Sequence, residues 1–207
     1  MAPSQSHLVL AVPQSIEGVY FSESLKPSPR DADGRLLQFD EGVEVSGGPR
    51  AYSVKTDKKT SEGRRDYKGA FFDALPNQGL EFVISPRFHE ALVELGVTNL
   101  QAFPLTVTCA KTRKKHEYVL ANVIGTVACV DREKSDARWD DDAPSVFLMN
   151  RLVLKKAALA KTKWSLFRVA EHRRVLLASA DLAEALVARK ITGIVFKKPE
   201  DYGDFKP

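Results

Sequence analysis

Two stretches decide the fold: Leu80-Glu-Phe-Val-Ile-Ser-Pro-Arg-Phe-His-Glu-Ala-Leu-Val-Glu-Leu-Gly-Val-Thr-Asn-Leu100 and Arg174-Val-Leu-Leu-Ala-Ser-Ala-Asp-Leu-Ala-Glu-Ala-Leu-Val-Ala-Arg-Lys-Ile-Thr-Gly-Ile194. Each opens with a short apolar run, Phe82–Ile84 or Val175–Leu177, and then places a serine, Ser85 or Ser179, where the pattern turns from strand-like to helical. At a shift of 94 (179 − 85), the sixteen residues from each serine share six: the serine, Glu-Ala-Leu-Val and a threonine. The shared run is Glu90–Val93 and Glu184–Val187, and the threonines are Thr98 and Thr192.

A serine hydroxyl can accept a hydrogen bond from an early helical N–H, which favours serine as an N-cap. Pro86 suits a first helical position because its φ is fixed and it has no N–H to satisfy. Phe88, Ala91, Leu92 and Leu95 recur at the spacing of one helix face, as do Leu182, Ala185 and Leu186. Gly96 is a natural helix stop; the second stretch has Lys190 at that position. New apolar runs follow, Phe103–Val107 and Ile194–Phe196. The unit reads strand, helix, strand, and the sequence predicts that it is used twice.

Working outward, Leu105–Cys109 and Tyr118–Val123 flank the basic loop Lys111–His116, the layout of a β-hairpin. Val127–Val130 continues the sheet, and Val146–Leu154 is apolar again before a helical turn at Ala157–Ala160. Trp164–Val169 and Arg174–Ala178 form a second hairpin around Glu171-His-Arg173. The first 75 residues are irregular: short strands at Leu8–Val12 and Gly18–Phe21, turns at Lys26–Pro29, Asp31–Gly34 and Ser46–Pro49, and a polar loop over Arg50–Lys68. Phe71–Leu75 is a small apolar anchor, and the polar tail after Lys197 is expected to fray.

A chain of 207 residues, 43% hydrophobic and 28% charged, can bury a sizeable core without metal or disulfide. The expectation is a single domain over 1–207, with an irregular part (1–75), a strand–helix core (80–196) and the tail (197–207). Its class is α+β, a mixed and largely antiparallel sheet carrying two capped helices. Cys109 and Cys129 lie in apolar runs and read as reduced thiols. The run Leu8–Val12 is too short for a signal-peptide core or a membrane span, so the expected location is the cytoplasm, with no membrane partner.

Several of these segments resemble a known family. In order they are Val83-Ile-Ser-Pro-Arg-Phe88, Tyr118-Val-Leu-Ala-Asn122, Val130-Asp131-Arg-Glu-Lys-Ser135, Leu166-Phe167-Arg168-Val169 and Ile191-Thr-Gly-Ile-Val-Phe196. This succession, from about Leu80 to Phe196, is similar to the eleventh of the numbered polymorphic-toxin immunity families of bacteria. Members are encoded beside toxins, including effectors of contact-dependent and type VI secretion systems. The resemblance implies a protein that binds and neutralises a cognate toxin encoded nearby. It brings no catalytic residues to carry over.

The residues themselves point the same way. His7, His89, His116 and His172 have no metal-ligand spacing, and neither serine cap sits in a nucleophile elbow. No phosphate-cradling loop occurs. No cofactor, metal or catalytic residue is expected. Nucleic-acid binding is permitted by the net charge of +4, with Lys111–His116 and Arg50–Lys68 as phosphate contacts. No helix concentrates a basic face, however, which argues against it. Another alternative is a cytoplasmic inhibitor of a co-expressed secreted protease.

The expected partner surface is Asp131–Asp142, with six acids and three bases on a chain that is otherwise basic. Its candidate residues are Glu133, Asp136, Trp139, Asp140, Asp141 and Asp142. An acidic loop of this kind suits the basic cleft of a toxin that acts on nucleic acid in the cytoplasm. Trp139 is either the exposed aromatic anchor of that loop or folded back on the core.

Overall fold

The computed structural model describes residues 6–13, 25–57, 70–76 and 82–203. Twelve strands occur among the described residues: β1 His7–Ala11, β2 Tyr52–Lys55, β3 Ala74–Leu75, β4 Phe82–Ile84, β5 Leu100–Thr108, β6 Lys115–Val123, β7 Thr126–Val127, β8 Asp136–Trp139, β9 Val146–Arg151, β10 Leu166–Val169, β11 His172–Ser179 and β12 Val195–Lys197. The helices are α1 Pro86–Glu94, α2 Lys156–Leu159 and α3 Ala180–Ala188. The strands form two five-stranded sheets, β2-β5-β6-β4-β3 and β12-β1-β11-β10-β7, and a separate ribbon, β8-β9. Pairing is antiparallel except for β2 with β5 and β7 with β10. The class is the expected α+β, with the strands divided between two sheets.

The doubled pattern is a doubled structure. Ser85 accepts from Phe88 N at 3.1 Å and Ser179 accepts from Leu182 N at 3.3 Å, so both serines cap helices entered directly from a strand. Both helices also end alike. Gly96 N reaches Val93 O and Val97 N reaches Leu92 O, while Lys190 N reaches Val187 O and Ile191 N reaches Leu186 O. These are the paired closing bonds of a Schellman ending, whose left-handed residue is Gly96 (φ 80°) in one copy and Lys190 (φ 54°) in the other.

The strands repeat with the same shift. Phe82 pairs with Ala121, which pairs in turn with Ala102; 94 residues on, Leu176 pairs with Leu10, which pairs with Phe196. Ala74 faces Ile84 as Leu166 faces Ala178. So β3, β4, α1, β5 and β6 match β10, β11, α3, β12 and β1. In each unit the strands before and after the helix run parallel, with an antiparallel strand inserted between them. The inserted strand is the next in sequence in one unit (β6) and comes from the far end of the chain in the other (β1).

Both units bury their helices in one cluster. It pairs Phe88 with Leu182, Leu92 with Leu186, Val97 with Ile191, Phe82 with Leu176 and Ile84 with Ala178. The outer faces of the two sheets carry separate cores, one around Phe39, Tyr52 and Leu105, the other around Phe167, Met149 and Leu152. Truncating a fully buried leucine such as Leu92 to alanine would cost about 3 kcal/mol.

Asp73 fastens the units to each other. Its carboxylate accepts from the Ser85 hydroxyl at 2.7 Å, Arg87 Nη1 at 2.7 Å, and Thr192 N and Oγ1 at 2.9 Å each. Burial pushes this carboxyl up, but the bonds from Thr192 and Ser85 and the nearby Arg87 charge outweigh it and hold it below its ordinary value. Gly193 allows the close approach: a Cβ there would stand 2.3 Å from Ala74 O, at a φ of 79°. Arg168, fully buried, donates to Phe39 O and Arg173 O and so ties the irregular segment before β2 to β10.

Two expectations are corrected. The span Arg50–Lys68 is not simply a polar loop, because Tyr52–Lys55 is a strand parallel to β5; residues 58–69, like Gly18–Phe21, lie outside the described residues. Tyr52 and Val54 point inward and Ser53 and Lys55 outward, a period too short to stand out among so many charges. Within Asp131–Asp142, residues Asp136–Trp139 form β8. The residues after Lys197 do not fray before Gly203: Pro199 and Gly203 are buried, and the Tyr202 ring meets His172 at 6.3 Å.

Candidate functional site

The acidic residues gather on the β8–β9 ribbon. Its base is held by Glu171, whose carboxylate accepts from Cys129 N and Val130 N at 3.2 Å each and whose carbonyl accepts from Val146 N at 2.8 Å. Asp131 and Ser135 shape the turn before it: Ser135 N reaches Asp131 O, and Lys134 pairs with the Asp131 carboxylate at 3.4 Å. Glu133 lies exposed on this turn and Asp136 is exposed at the start of β8, opposite Arg151.

At the far end the three aspartates divide their work. Asp140 builds the turn, its carboxylate accepting from Asp142 N at 2.9 Å and the Ser145 hydroxyl at 3.3 Å, while its N–H reaches Ser145 O. A carboxylate used this way favours a tight turn. Asp141 and Asp142 are exposed. Trp139 does not stand free. It is half-buried against the outer core of the β10–β11 sheet, with the Arg132 guanidinium 4.8 Å from its ring centroid.

The aromatic that does project is Phe147. Arg138 pairs with Leu148 but Trp139 pairs with Val146, which leaves Phe147 as an extra residue in a β-bulge. A bulge re-aims a side chain that regular alternation would place elsewhere. Phe147 is 67% exposed, the largest value among the large apolar side chains of the described residues. The sequence candidates Asp140, Asp141 and Asp142 are thus brought to one turn, close in the ribbon to an aromatic that the sequence reading missed. The basic candidates Lys111 and Arg113–Lys115 are exposed at the β5–β6 turn, where His116 stacks on Phe71 at 3.6 Å.

The model of the Immunity protein family (Imm11) matches residues 30–201. The chain belongs to that family. The matched interval begins in the turn at Arg30 and runs through β12, so it holds every strand but β1. No curated protein matches the chain. An immunity protein has a toxin as its cognate partner, and this family is generally non-enzymatic. Among the described residues no group of three His, Cys, Asp or Glu gathers to hold a metal, and no helix is long and apolar enough to cross a membrane.

The two thiols occupy different settings in this immunity protein. Burial, helped by the neighbouring Glu171 charge, pushes Cys129 up to about 12. Cys109 is also buried, but bonds from Thr112, Lys111 and Thr56 outweigh burial and hold it below the ordinary thiol value. No sulfur–sulfur bond joins them.

Proposed function

We propose that this chain neutralises its cognate toxin by direct contact, in the cytoplasm, and that the β8–β9 ribbon makes the contact. The observation that carries the reading is Phe147, a large apolar side chain held out in solvent beside the anionic turn Asp140–Asp142. Protein interfaces are commonly anchored by a buried aromatic ringed by polar groups. The anionic turn suits a toxin whose cleft is basic, as in enzymes that act on nucleic acid, and such complementarity speeds association.

The test is co-expression with the toxin, scored by survival, together with binding kinetics of the purified pair. Phe147→Ala should raise the dissociation rate by roughly thirtyfold, the effect of losing about 2 kcal/mol of anchor. Asp141→Lys with Asp142→Lys should slow association at low salt and have less effect at high salt. Wild-type rates in both variants, with melting unchanged, would sink the ribbon and move attention to Lys111–His116.

A further inference from the structure

The duplication gives each contact between the units a counterpart, and at one such pair the two halves differ. In the first half Arg87 donates to Asp73 Oδ2 at 2.7 Å, to Lys190 O at 3.4 Å and to Arg189 O, while Ser85 donates to Asp73 Oδ1 at 2.7 Å. Arg87 thereby closes the C-terminal end of α3. Shifted by 94, its counterpart is Asp181, and those of Arg189 and Lys190 are Leu95 and Gly96. By the β3–β10 register, Ser165 replaces Asp73 and Trp164 replaces Phe72. Where the first half is filled by an arginine on a carboxylate, the second has a cleft of about 360 Å³ lined by Leu95, Lys163, Trp164, Ser165, Ser179 and Asp181 among others.

We propose that this cleft is a socket for the guanidinium of an arginine presented by a partner polypeptide, in the place Arg87 takes in the other half. The chemistry that remains suits a cation. Asp181 brings a carboxylate, and the end of α1 brings the negative pole of its helix. Among the described residues no protein donor reaches the carbonyls of Leu95 or Gly96, whereas their counterparts each accept from Arg87. The chain's own Lys163 lies toward the Trp164 ring, 5.9 Å from its centroid, and no ion pair joins it to Asp181 among the described residues. A planar fork can reach a carboxylate and a carbonyl together, which a single ammonium does less well.

The test uses the full chain and N-acetyl-L-arginine amide, followed by NMR at the Trp164 indole and the amides of residues 179–182. The expected result is a saturable shift, weaker with the blocked lysine analogue and absent with the blocked glutamate analogue. Asp181→Asn should weaken binding about tenfold, the loss of one charge-assisted bond. Ser165→Asp with Asp181→Arg would transplant the pair from the first half, and should raise the melting temperature and abolish binding. Asp181→Asn keeps the question open to test if that double variant does not fold. A glutamate analogue that binds as well as arginine, no shift at Trp164, or full affinity in Asp181→Asn would each overturn the proposal. Free L-arginine binding tenfold tighter than the blocked form would overturn its polypeptide source.

Discussion

Replacing Lys190 by glycine should leave the protein more stable than replacing it by alanine, and replacing Gly96 by alanine should make it less stable than wild type. The two residues hold the same place in the duplicated helix ending, with φ of 54° and 80°. Left-handed backbone costs an L-residue about 1–2 kcal/mol, while glycine loses roughly 0.5–1 kcal/mol through its freer unfolded chain. Against Lys190→Ala, the balance for Lys190→Gly is a gain of about 1 kcal/mol. Its side chain also leaves the negative end of α3, an effect worth about 0.3–1 kcal/mol. Lys190→Ala makes that same loss while keeping the strain, so the difference between the two variants isolates the backbone. At Gly96 a Cβ would meet nothing within 4 Å, so Gly96→Ala adds strain without a clash and should cost about 1 kcal/mol. For a chain of this size that is about 3 °C in melting temperature, readable by circular dichroism and by urea titration at fixed pH. Lys190→Gly no more stable than Lys190→Ala, or Gly96→Ala no less stable than wild type, would refute the shared ending.

Other outcomes follow from single contacts. Ser179→Ala should cost about 1 kcal/mol, a lost cap, and Ser85→Ala about 2 kcal/mol, because the Ser85 hydroxyl also donates to Asp73. Equal losses in urea titration would deny Asp73 that role. Because the folded state holds the Asp73 carboxyl below its unfolded value, its contribution is present above the unfolded value, near pH 4, and disappears as pH falls through the folded one. Wild type should therefore lose stability more steeply than Asp73→Asn as pH is lowered below about 4; parallel curves would refute this. Cys129, with its thiol pushed up to about 12, should resist alkylation at pH 8 until the chain unfolds, checked by mass spectrometry of the native protein.

The parts of the fold written in local chemistry were legible. Ser85 and Ser179, Pro86, Gly96 and the apolar stripes signal a capped helix within a few residues of chain, so both helices and their entering strands fell where the sequence placed them. The full extent of the duplication was not legible, because the inserted strands, Lys115–Val123 and His7–Ala11, share no visible pattern and stand on opposite sides of their units in the chain. Asp73 reads as part of an apolar anchor; that its carboxylate gathers Ser85, Arg87 and Thr192 depends on contacts 12, 14 and 119 residues apart. At the candidate surface, the aspartates announced a turn, and Asp140 makes it. Phe147 was hidden inside the apolar run Val146–Leu154, since a one-residue bulge leaves no mark in composition. Trp139 carried two opposite readings, and only the packing of the ribbon on β10 and β11 separates them.

The inserted strand of the second unit also sets an order of assembly during synthesis. Leu8, Val9 and Leu10 leave the ribosome early, yet Leu10 pairs with Leu176, 166 residues later (176 − 10). At about 5–20 residues per second, roughly ten to thirty seconds pass before that partner exists. The strands of the first unit can meanwhile pair with one another, because β3 to β6 lie within one continuous stretch. Three consecutive aliphatic side chains thus wait without their partner strands until β11 and β12 are made, which gives a chaperone, or another nascent copy, a long opportunity to bind this short segment.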